Sequence, residues 1–241
     1  SDKFTMHVNK KVNRADSQNT FYNKDRIYLR RVPFSNNEIK DWDNLSDVEV
    51  VFNPVPWNLN LIQLESVDEK NKIGYLAFEA NAMPFTNKKY SVAWIENVID
   101  YLDEPGEWCV NTKTRKIYYW PKNGTPSNNI QAPKLMELFK VEGRIQYDLP
   151  NDIPARNINF KGLPFTKGDR SVWYKNRKGW GIQHDWDTFD YGNALLRFRG
   201  AENCKVTECR FTNSGGSAMR LDLHAQNIEI KKNYSDYVGH R

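Results

Sequence analysis

The feature that most limits how this chain can fold is a repeat near its C-terminus. Cys204, Val206, Cys209, Phe211 and Gly215 recur 24 residues later as Ile228, Ile230, Asn233, Ser235 and Gly239. A weaker copy, Ile158, Phe160, Leu163 and Phe165, lies 46 residues before Cys204, Val206, Cys209 and Phe211. Between the two clear copies Arg220-Leu221-Asp222-Leu223-His224 alternates polar and apolar side chains, the two-residue period of a strand. A fixed period of this length with strand alternation inside it predicts the stacked rungs of a parallel β-helix. The 46-residue interval is one rung plus an insertion, and the surplus, residues 171–193, has no repeat character. It reads as a long loop, and such loops on solenoids gather on one face, often the binding face.

Residues 1–150 lack the repeat. Short alternating runs at Val48–Phe52, Leu59–Leu64, Ile73–Phe78, Tyr90–Ile95 and Lys116–Trp120 are separated by turn clusters such as Asn53-Pro54 and Pro105-Gly106. This predicts an antiparallel, sandwich- or barrel-like domain over 1–150, ahead of the coil at 151–241. Glu107–Val110 and Lys116–Trp120 read as a hairpin around Asn111–Arg115. Helical spacing of Ile95, Val98 and Leu102 predicts one short helix there, and a second is expected over Pro133–Phe139. The fold class is therefore all-β.

Composition narrows the function. The net charge of +5 is spread along the chain, with only short clusters such as Arg30-Arg31 and Lys231-Lys232, so the concentrated basic patch of a nucleic-acid binder is missing. No apolar run reaches the roughly 18 residues of a membrane span. Eight tryptophans in a polar, β-rich chain favour contact with sugar rings, although most of such bulky side chains go to packing. Cys109, Cys204 and Cys209 fit no zinc spacing. Cys204 and Cys209 fall at repeat positions filled elsewhere by Ile, Leu or Asn, so they read as small interior residues rather than a disulfide framework.

The segments Trp94-Ile95-Glu96-Asn97-Val98, Leu102-Asp103-Glu104-Pro105-Gly106-Glu107-Trp108 and Ile117-Tyr118-Tyr119-Trp120-Pro121 resemble an ordered stretch of bacterial right-handed β-helix glycoside hydrolases, those of families 120 and 141. Gly181–Asp187, Asn193–Arg197, Gly200–Cys204 and Arg220–His224 extend the resemblance, and His7–Ala15 is similar to an earlier strand of the same proteins. The resemblance implies a right-handed parallel β-helix with an inserted β domain. It also implies a hydrolase of O-glycosidic bonds in plant or algal polysaccharide, secreted or periplasmic, needing no cofactor. In those proteins rungs precede and follow the matched region, so the remaining rungs of the same protein are an expected partner beside an oligo- or polysaccharide substrate.

Glycoside hydrolysis needs two carboxyl groups in different environments. Asp222 is the first candidate. Alternation sets Arg220, Asp222 and His224 on the polar face and Leu221 and Leu223 towards the interior. With a one-residue offset the rung below brings Arg197 and Arg199 beside Arg220 and Asp222, and Arg199 is expected to hold Asp222 in its charged form. Arg220 and His224 are candidate substrate contacts. So are His184, Asp185, Trp186 and Asp187 on the long loop, where Trp186 offers a sugar platform. His184, Asp185 and Asp187 do not have a diagnostic metal spacing, and no metal is expected. Asp103, Glu104 and Glu107 read as turn residues. The sequence does not identify the second carboxylate; one rung beyond Asp222 falls near position 245, roughly one repeat on, so a partner on that rung or the next would lie outside this chain. The alternatives are a polysaccharide lyase, using Arg220, His224 or Asp222 in proton abstraction, and a non-catalytic carbohydrate-binding coil.

Overall fold

The computed structural model describes residues 9–12, 27–55, 58–80, 93–145, 151–170 and 193–239. They are all-β, with three single turns of 3-10 helix and no α-helix among them. The chain divides into two compact units, the first running to Ile130 and the second starting at Gln131. The change comes about twenty residues before the boundary expected at 150.

In the first unit, strands β1 (Asn9–Val12), β2 (Arg31–Pro33), β3 (Glu49–Val55), β4 (Asn58–Asp68), β5 (Ile73–Leu76) and β6 (Ala93–Glu96) form one antiparallel sheet in the order β1-β6-β3-β4-β5-β2. The eleven-residue β4 pairs first with β3 and then, past an irregularity after Leu64, with β5. Alternation sends Ile62 and Leu64 into a core with Phe34, Ile39, Val50, Phe52, Leu76 and Ile95, while Leu61 and Gln63 are half-buried. Strands β7 (Trp108–Asn111) and β8 (Lys116–Tyr119) form the expected hairpin, with Trp108 opposite Tyr119.

The helix expected over Ile95–Leu102 is not formed. Ile95 belongs to β6, opposite Val50, and only Ile99–Tyr101 makes a 3-10 turn. Asn97, with φ 71°, ends the strand and is fixed in place. Its amide donates to the carbonyls of Asp47 and Val110 at 2.9 and 2.8 Å, and its oxygen accepts from the Val110 N–H at 2.7 Å. The helix expected over Pro133–Phe139 is likewise missing. The Leu138 N–H donates to the Leu195 carbonyl, and the Leu135 carbonyl accepts from Asp169, so the backbone is spent on neighbouring strands.

The second unit is built from parallel ladders. Strands β9 (Phe139–Glu142) and β10 (Ala155–Arg156) both pair with β13 (Ala194–Glu202), which pairs with β16 (Ser217–Gln226). Strands β11 (Asn159–Lys161), β14 (Lys205–Thr207) and β17 (Glu229–Lys231) form a second ladder, and β12 (Pro164–Gly168), β15 (Arg210–Ser214) and β18 (Tyr234–Asp236) a third. The repeat intervals are met residue by residue: Phe160 lies beside Val206 and Val206 beside Ile230, while Phe165 lies beside Phe211 and Phe211 beside Ser235. Phe165 and Phe211 stack at 4.8 Å. Cys204, Val206, Cys209 and Phe211 are fully buried, and all three cysteines are free thiols.

The corners repeat too. Asn157, Asn203 and Asn227 have positive φ before β11, β14 and β17, and so do Gly162, Glu208 and Lys232 before the third ladder. Asn tolerates this left-handed geometry better than most residues, and its amide also bonds along the stack, from Asn227 to Asn203 at 3.2 Å.

Candidate functional site

The polar face of the β9–β13–β16 ladder carries the candidate site. Lys140 and Glu142 on β9 lie opposite Arg197 and Arg199 on β13, which lie opposite Arg220 and Asp222 on β16. The intervening residues Val141 and Phe198 face the apolar core. Each strand thus alternates between a charged side chain and an apolar one; the row Glu142–Arg199–Asp222 alternates in sign, whereas Lys140, Arg197 and Arg220 stack as like charges about 4.8 Å apart and must find their carboxylates in the neighbouring row.

Asp222 is Cα-paired with Arg199, as the one-residue offset predicts, but its carboxylate bonds elsewhere. Oδ2 accepts from Arg197 Nε at 2.5 Å and Oδ1 accepts from Arg220 Nε at 2.6 Å. Arg199 donates instead to Glu142 at 3.0 Å. Two residues of strand rise separate Arg197 from Arg199, and the long guanidinium arm of Arg197 reaches Asp222 diagonally. Asp222 is 9% exposed and Arg197 only 1%. Arg220 also donates to the side-chain carbonyl of Asn193 at 3.1 Å.

His224 leaves this constellation. Arg199 pairs with Asp222 but Ala201 pairs with Ala225, so Gly200 alone opposes Leu223 and His224. The extra residue is a β-bulge, and both bulged residues have positive φ. The expected single face for Arg220, Asp222 and His224 is therefore broken after Asp222. His224 Nε2 bonds Glu202 Oε1 at 2.7 Å and Nδ1 meets Gln226 at 3.1 Å. Glu202 also accepts from Arg156 Nε at 2.7 Å, and the His224 and Arg156 bonds together hold its carboxyl below the usual range. Leu221, expected in a dry interior, is 48% exposed because β16 ends its ladder among the described residues.

A carboxyl that sequence reasoning missed completes the cluster. Glu137 precedes β9, and its Oε2 lies 3.8 Å from Arg197 Nη1. That oxygen is shielded from solvent and has no hydrogen-bond partner among the described residues. Burial pushes the Glu137 carboxyl up, with smaller upward contributions from Glu142 and Asp222 opposed by Arg197 and Lys140. The signal for it was absent because Glu137 has no counterpart in the 24-residue repeat.

His184, Asp185, Trp186 and Asp187 lie outside the described residues. Glu107 is a turn residue, as expected: its Oε2 accepts the N–H groups of Asp103 and Glu104 at 2.9 and 3.1 Å. Among the described residues no group of three or more His, Cys, Asp or Glu side chains is placed to hold a metal.

Fold and site together describe an all-β chain whose parallel ladders carry two partly buried carboxyls bridged by the buried Arg197. Residues 6–122 match the family model described as the GH141 insertion domain. A solved structure described as a glycoside hydrolase has the same fold, with a TM-score of 0.55 and 18% identity over 91% of this chain and 41% of its own. The chain thus spans less than half the length of that protein. No curated protein sequence matches it.

Proposed function

We propose that the protein is a glycoside hydrolase related to family 141, with Asp222 as the anionic carboxylate of its catalytic pair. Its second unit is read as a short parallel β-helix, on the strength of the three parallel ladders and their recurrent left-handed corners. The observation that carries the assignment is the double clasp on Asp222. Two guanidiniums favour the charged form, which suits a nucleophile or a base that activates water and does not suit a proton donor. With this reading go an oligo- or polysaccharide of plant or algal origin as substrate and a secreted or periplasmic location, since such glycans lie outside the cell. Half-exposed Leu221, Ile230 and Tyr234 on the end strands of the three ladders fit further rungs as a partner. His184, Asp185, Trp186 and Asp187 are proposed to contact the sugar with Arg220, while His224 acts through Glu202.

The same two contacts favour a second reading, in which Asp222 is only a counter-ion for the buried Arg197. Asp222→Asn in the intact protein separates the two. As a hydrolase carboxylate, its loss lowers turnover of a glycoside or glycan by several orders of magnitude at a temperature where the variant is folded. Near-normal turnover by the folded variant would leave the counter-ion role alone. A lyase acting on uronates would give unsaturated, ultraviolet-absorbing products, and a binding coil would retain glycan without releasing product.

A further inference from the structure

We infer that Glu137 is the proton donor that acts with Asp222, an assignment that rests on the hydrolase reading above. Arg197 touches both carboxyls, Glu137 through Nη1 and Asp222 through Nε. Because both contacts run through one planar guanidinium, the two carboxyls are at most about 9 Å apart, which does not exceed the span that inverting glycosidases use. The pair is also asymmetric. Asp222 has both oxygens occupied by guanidinium N–H donors, whereas Glu137 Oε2 is screened from water and makes no hydrogen bond among the described residues. A buried carboxylate oxygen without a donor is costly, while a neutral carboxylic acid at the same place carries an O–H ready for an acceptor. The charged groups facing Glu137 are Arg197, Lys140, Glu142 and Asp222; burial, the largest influence, together with the two anions raises its proton affinity against the two cations.

The reaction balances as a hydrolysis. The bond from the anomeric carbon to the glycosidic oxygen breaks, its electron pair goes to that oxygen, and the Glu137 proton is delivered there. Asp222 either bonds the anomeric carbon and is later displaced by water, or takes a proton from the water that attacks it. The proton lost by that water restores the acid, and one water is consumed for each bond cleaved.

Two experiments test this in the intact protein. The first is a ¹³C-NMR titration of Glu137, assigned by its loss in Glu137→Gln. It should give a midpoint above that of an ordinary glutamate, and the midpoint should fall in Asp222→Asn, where a neighbouring negative charge is gone. An ordinary midpoint unaffected by Asp222 would overturn the assignment whatever the enzyme's activity. The second compares aryl glycosides, from a panel that the wild type turns over. Glu137→Gln should lose about 10²–10⁴-fold on a poor leaving group, the usual contribution of a positioned acid, and far less on a dinitrophenyl leaving group that needs no proton. Equal losses on both substrates, or none on either, would overturn it. Failure of the hydrolase reading itself would appear separately, as a wild type that cleaves no glycoside.

Discussion

Asp222→Asn removes the anion between two cations without changing side-chain shape, so its effect on stability follows from the contacts. Arg197 is 1% exposed and Asp222 9%, with N–O distances of 2.5 and 2.6 Å to Arg197 and Arg220. Stripping one partner from a buried pair costs about 3–5 kcal/mol, because the charge left behind stays buried and uncompensated. Glu137, 3.8 Å from Arg197, gives up its proton more readily once the Asp222 charge is gone and so offsets part of this, which leaves about 2–4 kcal/mol for a cluster with a second carboxyl nearby. For a unit of about 100 residues each kcal/mol moves the midpoint by roughly 4–8 °C, so a fall of roughly 8–32 °C is expected in the transition of the second unit. Urea unfolding, with the two units followed by separate probes, measures the free-energy change. Pairing Asp222→Asn with Arg220→Met in a double-mutant cycle should return a coupling of about 0.5–3 kcal/mol. A loss under about 1 kcal/mol, abolished by 1 M salt, is the behaviour of an exposed, screened pair and would refute the buried clasp.

Other outcomes follow from neighbouring features. Gly200→Ala would place a Cβ 2.3 Å from Ile145 Cγ1 at a residue with φ 60°, so it should lower stability by about 1–3 kcal/mol in denaturant unfolding. His224→Ala removes the largest influence that holds Glu202 low. The Glu202 midpoint should rise towards that of an ordinary glutamate by NMR. In the wild type the stabilisation from this carboxyl is present above the ordinary glutamate range and is lost as pH falls through the depressed value, and the variant, which keeps only the Arg156 bond, should show a shallower acid-side slope. Glu137 has the opposite sign: with its affinity for the proton raised on folding, it makes the protein less stable as pH climbs from the ordinary glutamate range through the raised value. Glu137→Gln should flatten that decline. Burial pushes the Cys109 thiol up to about 11, and Cys204 and Cys209 are fully buried, so a thiol reagent at pH 8 should label none of the three until the chain unfolds.

The parallel ladders were legible where the sequence repeats. The 46- and 24-residue intervals become ladder neighbours at Phe160, Val206 and Ile230, because interior side chains of successive copies of the repeat occupy equivalent positions. The β7–β8 hairpin was legible from its alternation and polar loop. Strand β9 was not, since Phe139–Glu142 repeats nothing and residues 143–154 separate it from β10, which pairs with the same strand. The bulge at Leu223 and His224 was invisible because alternation looks perfect through it. Only the pairing of Gly200 against two residues shows that His224 has left the face of Asp222. Ile95, Val98 and Leu102 carry helical spacing by coincidence, a strand and a 3-10 turn meeting at Asn97. At the site, Asp222 and the Arg197–Arg220 register were readable from strand geometry. Glu137 was not, because nothing local predicts that a residue before β9 meets Arg197 sixty positions on.

The measurement that bears most directly on the proposed function is product analysis of the intact protein on a panel of plant and algal oligosaccharides, wild type beside Asp222→Asn. The expected result is new reducing ends with no unsaturated product in the wild type, and a loss of several orders of magnitude in the folded variant. Equal turnover by both proteins, or ultraviolet-absorbing unsaturated products, would contradict it.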